Sequence, residues 1–422
     1  MNPKLIPLSV LCSRLSKSAS AVMLACMLTV IACLPAHGQT FSVLQSFAGG
    51  STGAEPTAGL ISDARGNLYG TTSASMVGQN GPGNVYRLTK GQSGWPLSAL
   101  AVFGQSMQDG YQPHSRLTIG PDGAFYGTTL FGGDDQSCGG GGCGTVFRID
   151  PAASFAHTII YQFSYSSGAR PLSELTFDSA GNMFGTTTAG GSNLGGTVFE
   201  LTRQGNQWTY SAIYSFSGPS DGAEPVGGLI FDSAGNLFGT TLQGGSDCYC
   251  GVAFELSPSA GGWSYRVLQV FDDSSGLWPS GGLVIDSAGN LFGTTSAGGP
   301  GQNGGAGTVF ELSPSGNNWI FSTIYAFPYL GGSGEGPFAP VLLDTAGNLY
   351  GTTYATGSNF LGSVFKLTPT NGGWAFSSLH DFSGYDGEFP LGNLLMDSSG
   401  NIYGTTYGGG ANGLGAVWEF TP

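Results

Sequence analysis

The residues of this chain that could act on a ligand are few, and most of them fall in loops. Histidine occurs four times, at 37, 114, 157 and 380. No local Ser/His/Asp or Cys/His motif surrounds any of them. If the chain is an enzyme, a secreted lyase or hydrolase acting on a polysaccharide or small molecule, His114 is the first suspect. Acid pairs such as Asp272-Asp273 are adjacent on a loop and do not define the carboxylate separation that glycoside hydrolysis needs. Asp134-Asp135, beside Gly132-Gly133, offers oxygen ligands to Ca²⁺ without the ligand spacing of a calcium loop. Matches to Gly-x-Gly-x-x-Gly arise by accident among 75 glycines, and none leads from a strand into a helix. The expectation is a binder rather than an enzyme, with no cofactor beyond a weak case for Ca²⁺.

One loop is more informative. The pattern [Asp/Ser/Thr]-Gly-x-x-Pro occurs seven times, headed by Thr52, Asp109, Ser167, Asp221, Ser275, Ser333 and Asp386. Exchange of Asp with Ser and Thr marks the head as a turn cap. The two residues before Pro vary strongly: Ala54-Glu55, Tyr111-Gln112, Ala169-Arg170, Ala223-Glu224, Leu277-Trp278, Glu335-Gly336 and Glu388-Phe389. Aromatic faces stack on pyranose rings and carboxylates accept hydroxyl protons, so this set suits a glycan. The candidate ligand-binding residues are therefore Glu55, Tyr111, Gln112, Arg170, Glu224, Trp278, Glu335, Glu388 and Phe389. The competing reading is an ordinary solvated rim.

Of the seven cysteines, four follow residue 38: Cys138 and Cys143 in one glycine-rich loop, Cys248 and Cys250 in another. An oxidising compartment favours disulfides, and pairing within each loop is the simpler connectivity. A Cys248–Cys250 ring is the less comfortable of the two because it is so small.

These loops belong to a unit that recurs seven times. Its anchor is Gly-Thr-Thr, at Gly70, Gly127, Gly185, Gly239, Gly293, Gly351 and Gly404. Seven positions earlier stands Asp in six copies and Gly120 in the other; seven further back stands Pro in all seven. Residues 225–271 read as four strands. Gly228–Asp232 is followed by the tight turn Ser233-Ala234-Gly235-Asn236, then by Leu237–Thr241, Val252–Ser257 and Trp263–Phe271. Four-stranded units of this length are propeller blades. The last unit stops at its third strand, and Phe41–Phe47 matches the missing fourth. The sequence predicts an all-β, seven-bladed propeller of antiparallel blades, spanning 39–422 and closed by the N-terminal strand. In such a ring the variable loops share a face with the loops between second and third strands, around the channel mouth. The six repeated Asp at one hairpin corner are then turn caps, with Gly120-Pro121-Asp122-Gly123 making the same turn.

Composition agrees. Glycine is far above the usual share, charged residues are 9%, and 40% of the chain is hydrophobic, which excludes a disordered chain. Residues 1–38 read as an export signal: Lys4, Arg14 and Lys17, the apolar run Ala21–Leu34, and Ala36-His37-Gly38. A lipobox-like Val30-Ile31-Ala32-Cys33 offers lipidation at Cys33 as the alternative to release. Beyond that segment nine basic residues face 26 acidic ones, a net charge of −17. That charge disfavours nucleic acid and anionic membranes as partners. No second apolar run suggests a transmembrane segment. The expected protein is a monomer, secreted or held at the surface or in the periplasm of a bacterium, with an extracellular glycan or protein ligand.

The unit Gly-Gly-Leu-Ile-Phe-Asp-Ser-Ala-Gly-Asn-Leu-Phe-Gly-Thr-Thr (227–241), with Gly-Thr-Val-Phe-Glu-Leu at 196–201 and 307–312, resembles the bacterial GloVer tandem repeat. Its Asp-x-x-Gly-Asn-Leu-Phe-Gly core is also similar to regulator-type propeller repeats and, more weakly, to virginiamycin B lyase repeats. The GloVer resemblance implies export and a propeller-like fold, and no particular chemistry. Members with surface anchors carry a C-terminal sorting segment, and none follows Phe420 here.

Overall fold

A computed structural model describes residues 38–74, 81–134, 136–205, 207–301, 305–329 and 336–422. Residues 1–37, which carry nearly all of the expected export signal and Cys33, and Asp135, Ser333 and Glu335 lie outside these residues. Seven four-stranded antiparallel sheets form a ring, the arrangement of a seven-bladed β-propeller. We number the blades in the order of the repeats. Blade 4 is Ile230–Phe231, Leu237–Thr241, Val252–Ser259 and Gly262–Val270, paired in that order. Blade 7 is Leu395–Met396, Ile402–Thr406, Ala416–Thr421 and, as its outer strand, Thr40–Ser46. The N-terminal strand thus closes the ring and covers an edge that would otherwise stand open. Helical pieces among the described residues are three-residue 3-10 turns.

Gly-Thr-Thr ends the second strand, as the sequence predicts, and each of its residues has a separate duty. Gly239 pairs across the ladder with Phe254. A Cβ at Gly239 would sit 2.7 Å from Phe254 Cζ and 2.9 Å from Leu229 Cδ2, so the glycine leaves room for the third-strand ring. The equivalent rings are Tyr86, Phe147, Phe199, Phe310, Phe365 and Trp418, all fully buried. The first Thr donates to a carbonyl in the segment that leads into the first strand of the next blade. Thr186 reaches Pro225 O at 3.0 Å, Thr240 reaches Gly281 O at 2.9 Å, and Thr405 reaches Ala58 O at 2.9 Å across the closure. Among the described residues, Thr352 is the copy whose buried hydroxyl has no partner. The second Thr binds the start of its own third strand, as Thr187 Oγ1 does with Thr197 Oγ1 at 2.8 Å.

Apolar contact between blades is equally periodic. The Phe ending each fourth strand packs edge-on or tilted against the third-strand ring of the following blade. Phe216–Phe254 has its centroids 5.3 Å apart and Phe271–Phe310 5.0 Å. Phe47–Tyr86, at 5.0 Å, is the same pair at the closure. Such pairs add about 0.5–1.5 kcal/mol each beyond the area they bury.

On the face opposite the variable loops, each first-to-second-strand hairpin is capped by its Asp. Asp232 Oδ1 accepts from the N–H groups of Ala234 (2.8 Å) and Asn236 (2.9 Å), and Oδ2 from the Asn236 amide (2.7 Å). In blade 2, where the corner residue is Gly120, Asp122 takes over, accepting from Ala124 N–H and the Tyr126 hydroxyl. Burial alone would raise the carboxyls of Asp63, Asp344 and Asp397, but hydrogen bonds led by the side chain of the Asn four residues on outweigh it and hold them below the ordinary range. A depressed folded value means that the unfolded chain binds more protons at low pH. The stabilisation is therefore fully present above the unfolded Asp value of about 4 and lost as pH falls through the folded values. Thermal melts should show a steep loss of stability below about pH 4. The triple Asp63→Asn/Asp344→Asn/Asp397→Asn variant should show a shallower one, and equal slopes would refute this assignment.

Candidate functional site

The six described variable loops lie on the face that also carries the loops between second and third strands, each bridged to its own blade there, as Ala54 is to Ala74, Ala223 to Gln243 and Glu388 to Gly408. The second residue of each pair has a fixed backbone role. Glu55, Gln112, Arg170, Glu224, Trp278 and Phe389 are all left-handed, with φ between 55° and 58°. The N–H of each donates to the preceding blade's second-to-third-strand loop: Glu55 to Leu414, Arg170 to Cys143, Trp278 to Cys250 and Phe389 to Leu361. Each carbonyl accepts from the residue after Gly-Thr-Thr in its own blade, as Leu242 N–H does to Glu224 O and Tyr407 N–H to Phe389 O. Left-handed backbone is costly for non-glycine residues, about 1–2 kcal/mol each, and these inter-blade bonds offset it. The backbone is therefore scaffold, and only the side chain is left to vary.

The eight described residues of the nine expected do not meet in one pocket. Gln112 and Glu55 are buried, while Arg170 and Trp278 are exposed, Trp278 by 46%. Tyr111 stacks on Phe131 within blade 2 at 5.4 Å and donates to Gly141 O at 3.0 Å. Glu224 accepts from the Gln243 amide at 3.2 Å. Glu388 bridges through its backbone to Gly408. Glu335 cannot be placed, being outside the described residues.

One quadrant does converge. Phe389 stacks on Tyr354 with centroids 4.8 Å apart, and Phe338 meets Tyr354 edge-on at 5.2 Å. Tyr407 stands beside them: desolvation, with the Glu55 carboxylate against its hydroxyl, raises its pKa. Blades 6, 7 and 1 thus present four rings and a carboxylate at one side of the mouth. Tyr354 and Tyr407 were not among the sequence candidates, although the same criterion marks them. The residue after Gly-Thr-Thr changes from unit to unit, reading Ser73, Leu130, Thr188, Leu242, Ser296, Tyr354 and Tyr407.

Inside the mouth the segments leading into the first strands enclose a cavity of about 130 Å³, lined in part by Thr57, His114, Glu174, Phe338 and Asn393. Glu174 reaches across it, pairing with Arg116 at 3.4 Å and accepting from the Asn393 amide of blade 7 at 3.3 Å. A Cβ at Gly228 would lie 2.7 Å from Glu174 Cγ, so the glycine there admits the carboxylate arm. His114 Nδ1 lies 3.1 Å from Thr57 Oγ1, and desolvation pushes its pKa down to about 4. The imidazole is neutral at physiological pH and a weak base.

Both loop disulfides are formed, Cys138–Cys143 and Cys248–Cys250. They fix Cys143 and Cys250, whose carbonyls receive the Arg170 and Trp278 N–H groups, so each disulfide braces a mouth loop. Of the sketched Ca²⁺ pair, Asp134 is described, and its N–H donates to the Gln162 side chain at 3.0 Å.

The repeat that builds this mouth has a defined family. The Gloeobacter/Verrucomicrobia repeat model matches residues 135–329 and 300–422. The chain belongs to the Gloeobacter/Verrucomicrobia repeat family. As a member of that repeat family it has solved structural neighbours of low identity. An extracellular domain assigned to a hybrid two-component system of B. thetaiotaomicron superposes with a TM-score of 0.55 at 12% identity, covering 91% of this chain and 41% of that one. PorZ, a surface component of the type-IX secretion system of Porphyromonas gingivalis, gives 0.54 at 16%, covering 91% and 49%. A fungal alcohol oxidase in complex with copper gives 0.54 at 14%, covering 90% and 77%. The chain spans less than half the length of the first two. At such identities the likeness is one of fold, which an oxidase shares here with an extracellular domain and a secretion-system component. No curated protein sequence matches the chain.

Proposed function

We propose that this repeat protein is exported and acts outside the cytoplasm as a non-catalytic binding propeller, taking a glycan at its mouth. The observation that carries this reading is the quadrant of Phe338, Tyr354, Phe389 and Tyr407 with Glu55. Rings offer stacking faces to pyranoses, and a carboxylate and phenol hydroxyls offer hydrogen-bond partners to sugar hydroxyls. Export is supported by the signal-like residues 1–38 and by two disulfides, which persist in oxidising compartments. Release is favoured over lipidation at Cys33. The extracellular and surface settings of two fold neighbours agree with this placement.

The competing reading, a lyase or hydrolase using His114, is weaker on chemical grounds. A general base works best with a pKa near the operating pH, and a value of about 4 leaves this imidazole little driving force. The test is a glycan array probed with the wild type, Trp278→Ala, Glu224→Ala and Tyr354→Ala, alongside a polysaccharide-cleavage screen of wild type and His114→Ala. The expected result is retained oligosaccharides, loss of signal in Tyr354→Ala, and no cleavage. Cleavage that disappears in His114→Ala would establish the enzyme instead.

A further inference from the structure

The face opposite the mouth carries a second periodic feature, a groove between each pair of adjacent blades. At six of the seven junctions its walls are an aromatic residue of the second strand, the hairpin Asp, a third-strand side chain, and a Trp or Phe of the next blade. In five grooves this last residue is Trp95, Trp208, Trp263, Trp319 or Trp374, set edge-on to the second-strand ring at 5.6–6.3 Å.

Nine basic residues follow residue 38, and six of them occupy these grooves. Arg87 lies over Phe155 at 5.5 Å, Lys90 over Trp95 at 5.8 Å, and Lys366 over Tyr350 at 5.3 Å. Arg148 pairs with Asp122 at 3.0 Å, and Arg203 reaches the same carboxylate at 3.4 Å while lying over Trp208 at 5.6 Å. Between blades 4 and 5, Arg266 binds Glu255 at 3.1 Å and donates to Asn317 O at 2.8 Å. Every cation–π contact among the described residues lies in one of these grooves.

Two grooves have the same walls and no cation of their own. Between blades 3 and 4, a cavity of about 490 Å³ is lined by Asp178, Phe184, Glu200 and Trp263. Between blades 5 and 6, one of about 680 Å³ is lined by Asp286, Phe292, Glu311 and Trp374. No basic residue lines either. The reason is visible across the ladder. Arg266 stands opposite Glu255, whereas Ser211 stands opposite Glu200 and Ser322 opposite Glu311. Burial, with Asp178 nearby, raises the Glu200 carboxyl, a strain that an incoming cation would relieve.

We propose that the grooves between blades 3 and 4 and between blades 5 and 6 are binding sites for basic side chains, guanidinium above all, presented by a partner polypeptide. The protein's own Arg203 shows the fit: the Asp122 carboxylate pairs with its guanidinium while Trp208 takes its face, and Arg266 shows the carboxylate half of it on Glu255. The strongly acidic chain favours such a partner by long-range attraction. This site stands on the hairpin face and does not depend on the reading of the mouth.

The test uses a short glycine peptide bearing two arginines and its citrulline counterpart, which keeps the shape and removes the charge. Calorimetric titration of the whole protein should show the arginine peptide binding at least tenfold more tightly than the citrulline one. Glu200→Gln/Glu311→Gln should lose at least tenfold. Ser211→Arg/Ser322→Arg, which copies the filled groove of blade 4 and keeps the fold, should abolish binding. Equal affinity for the two peptides, no binding of either, or binding untouched by the Ser→Arg pair would each overturn the proposal.

Discussion

A chain shortened to begin at Gly49 should fail to form a stable closed ring. The deletion strips blade 7 of its outer strand and leaves Ala416–Thr421 as an open edge. It removes Phe47, a fully buried ring against Tyr86, and Phe41, which stacks on His380 at 3.6 Å. It also removes the bonds that seal the junction, Phe47 N–H to Gly415 O at 3.0 Å and the Asn412 amide to Phe47 O at 2.9 Å. Loss of one buried Phe side chain alone costs about 3–5 kcal/mol, a large part of a typical protein's net stability. The exposed edge adds a route to strand-to-strand aggregation. Calorimetry with light scattering should find the shortened chain aggregated or melting far below the parent. A monomer melting within about 2 °C of it would contradict the composite blade.

The second large effect is expected at the Gly-Thr-Thr glycine. Gly239→Val drives two methyl groups into the space occupied by Phe254 and Leu229, where even a Cβ is too close. Overpacking of a filled core costs roughly 1–3 kcal/mol and more where the backbone must shift, as it must in a strand held on both sides. The cost should be relieved in part by Phe254→Leu, so the double variant should be more stable than the sum of the two single changes predicts. Strict additivity in denaturant melts would mean that the glycine has some other duty.

The architecture could be read from the sequence because its evidence was repeated seven times. Strand count, blade number and even the composite blade followed from alignment of the units, Phe47 standing before Pro56 as Phe216 stands before Pro225. The roles of the repeated residues were less legible. Gly-Thr-Thr falls in the second strand on sequence, but its first Thr bonds to a neighbouring blade, a contact that no single unit contains. The residue before Pro varies in its side chain from unit to unit, while in six units its backbone is held left-handed by the blade before it. Tyr354 and Tyr407 were missed for a similar reason: their partners, Phe389 and Glu55, come from other units. The interblade tryptophans looked like ordinary strand residues, and only the ring sets them beside acids and rings of the preceding blade. Fold periodicity lies along the chain, whereas a site is assembled across it.

The mouth is where the account is most directly open to measurement. The best oligosaccharide from an array should be titrated calorimetrically into the wild type and into Tyr354→Ala/Phe389→Ala, with thermal melts in parallel. The account predicts a loss of affinity of at least about tenfold, equivalent to about 1.4 kcal/mol, with the closed ring still folding cooperatively. Unchanged affinity in a folded double variant would contradict it.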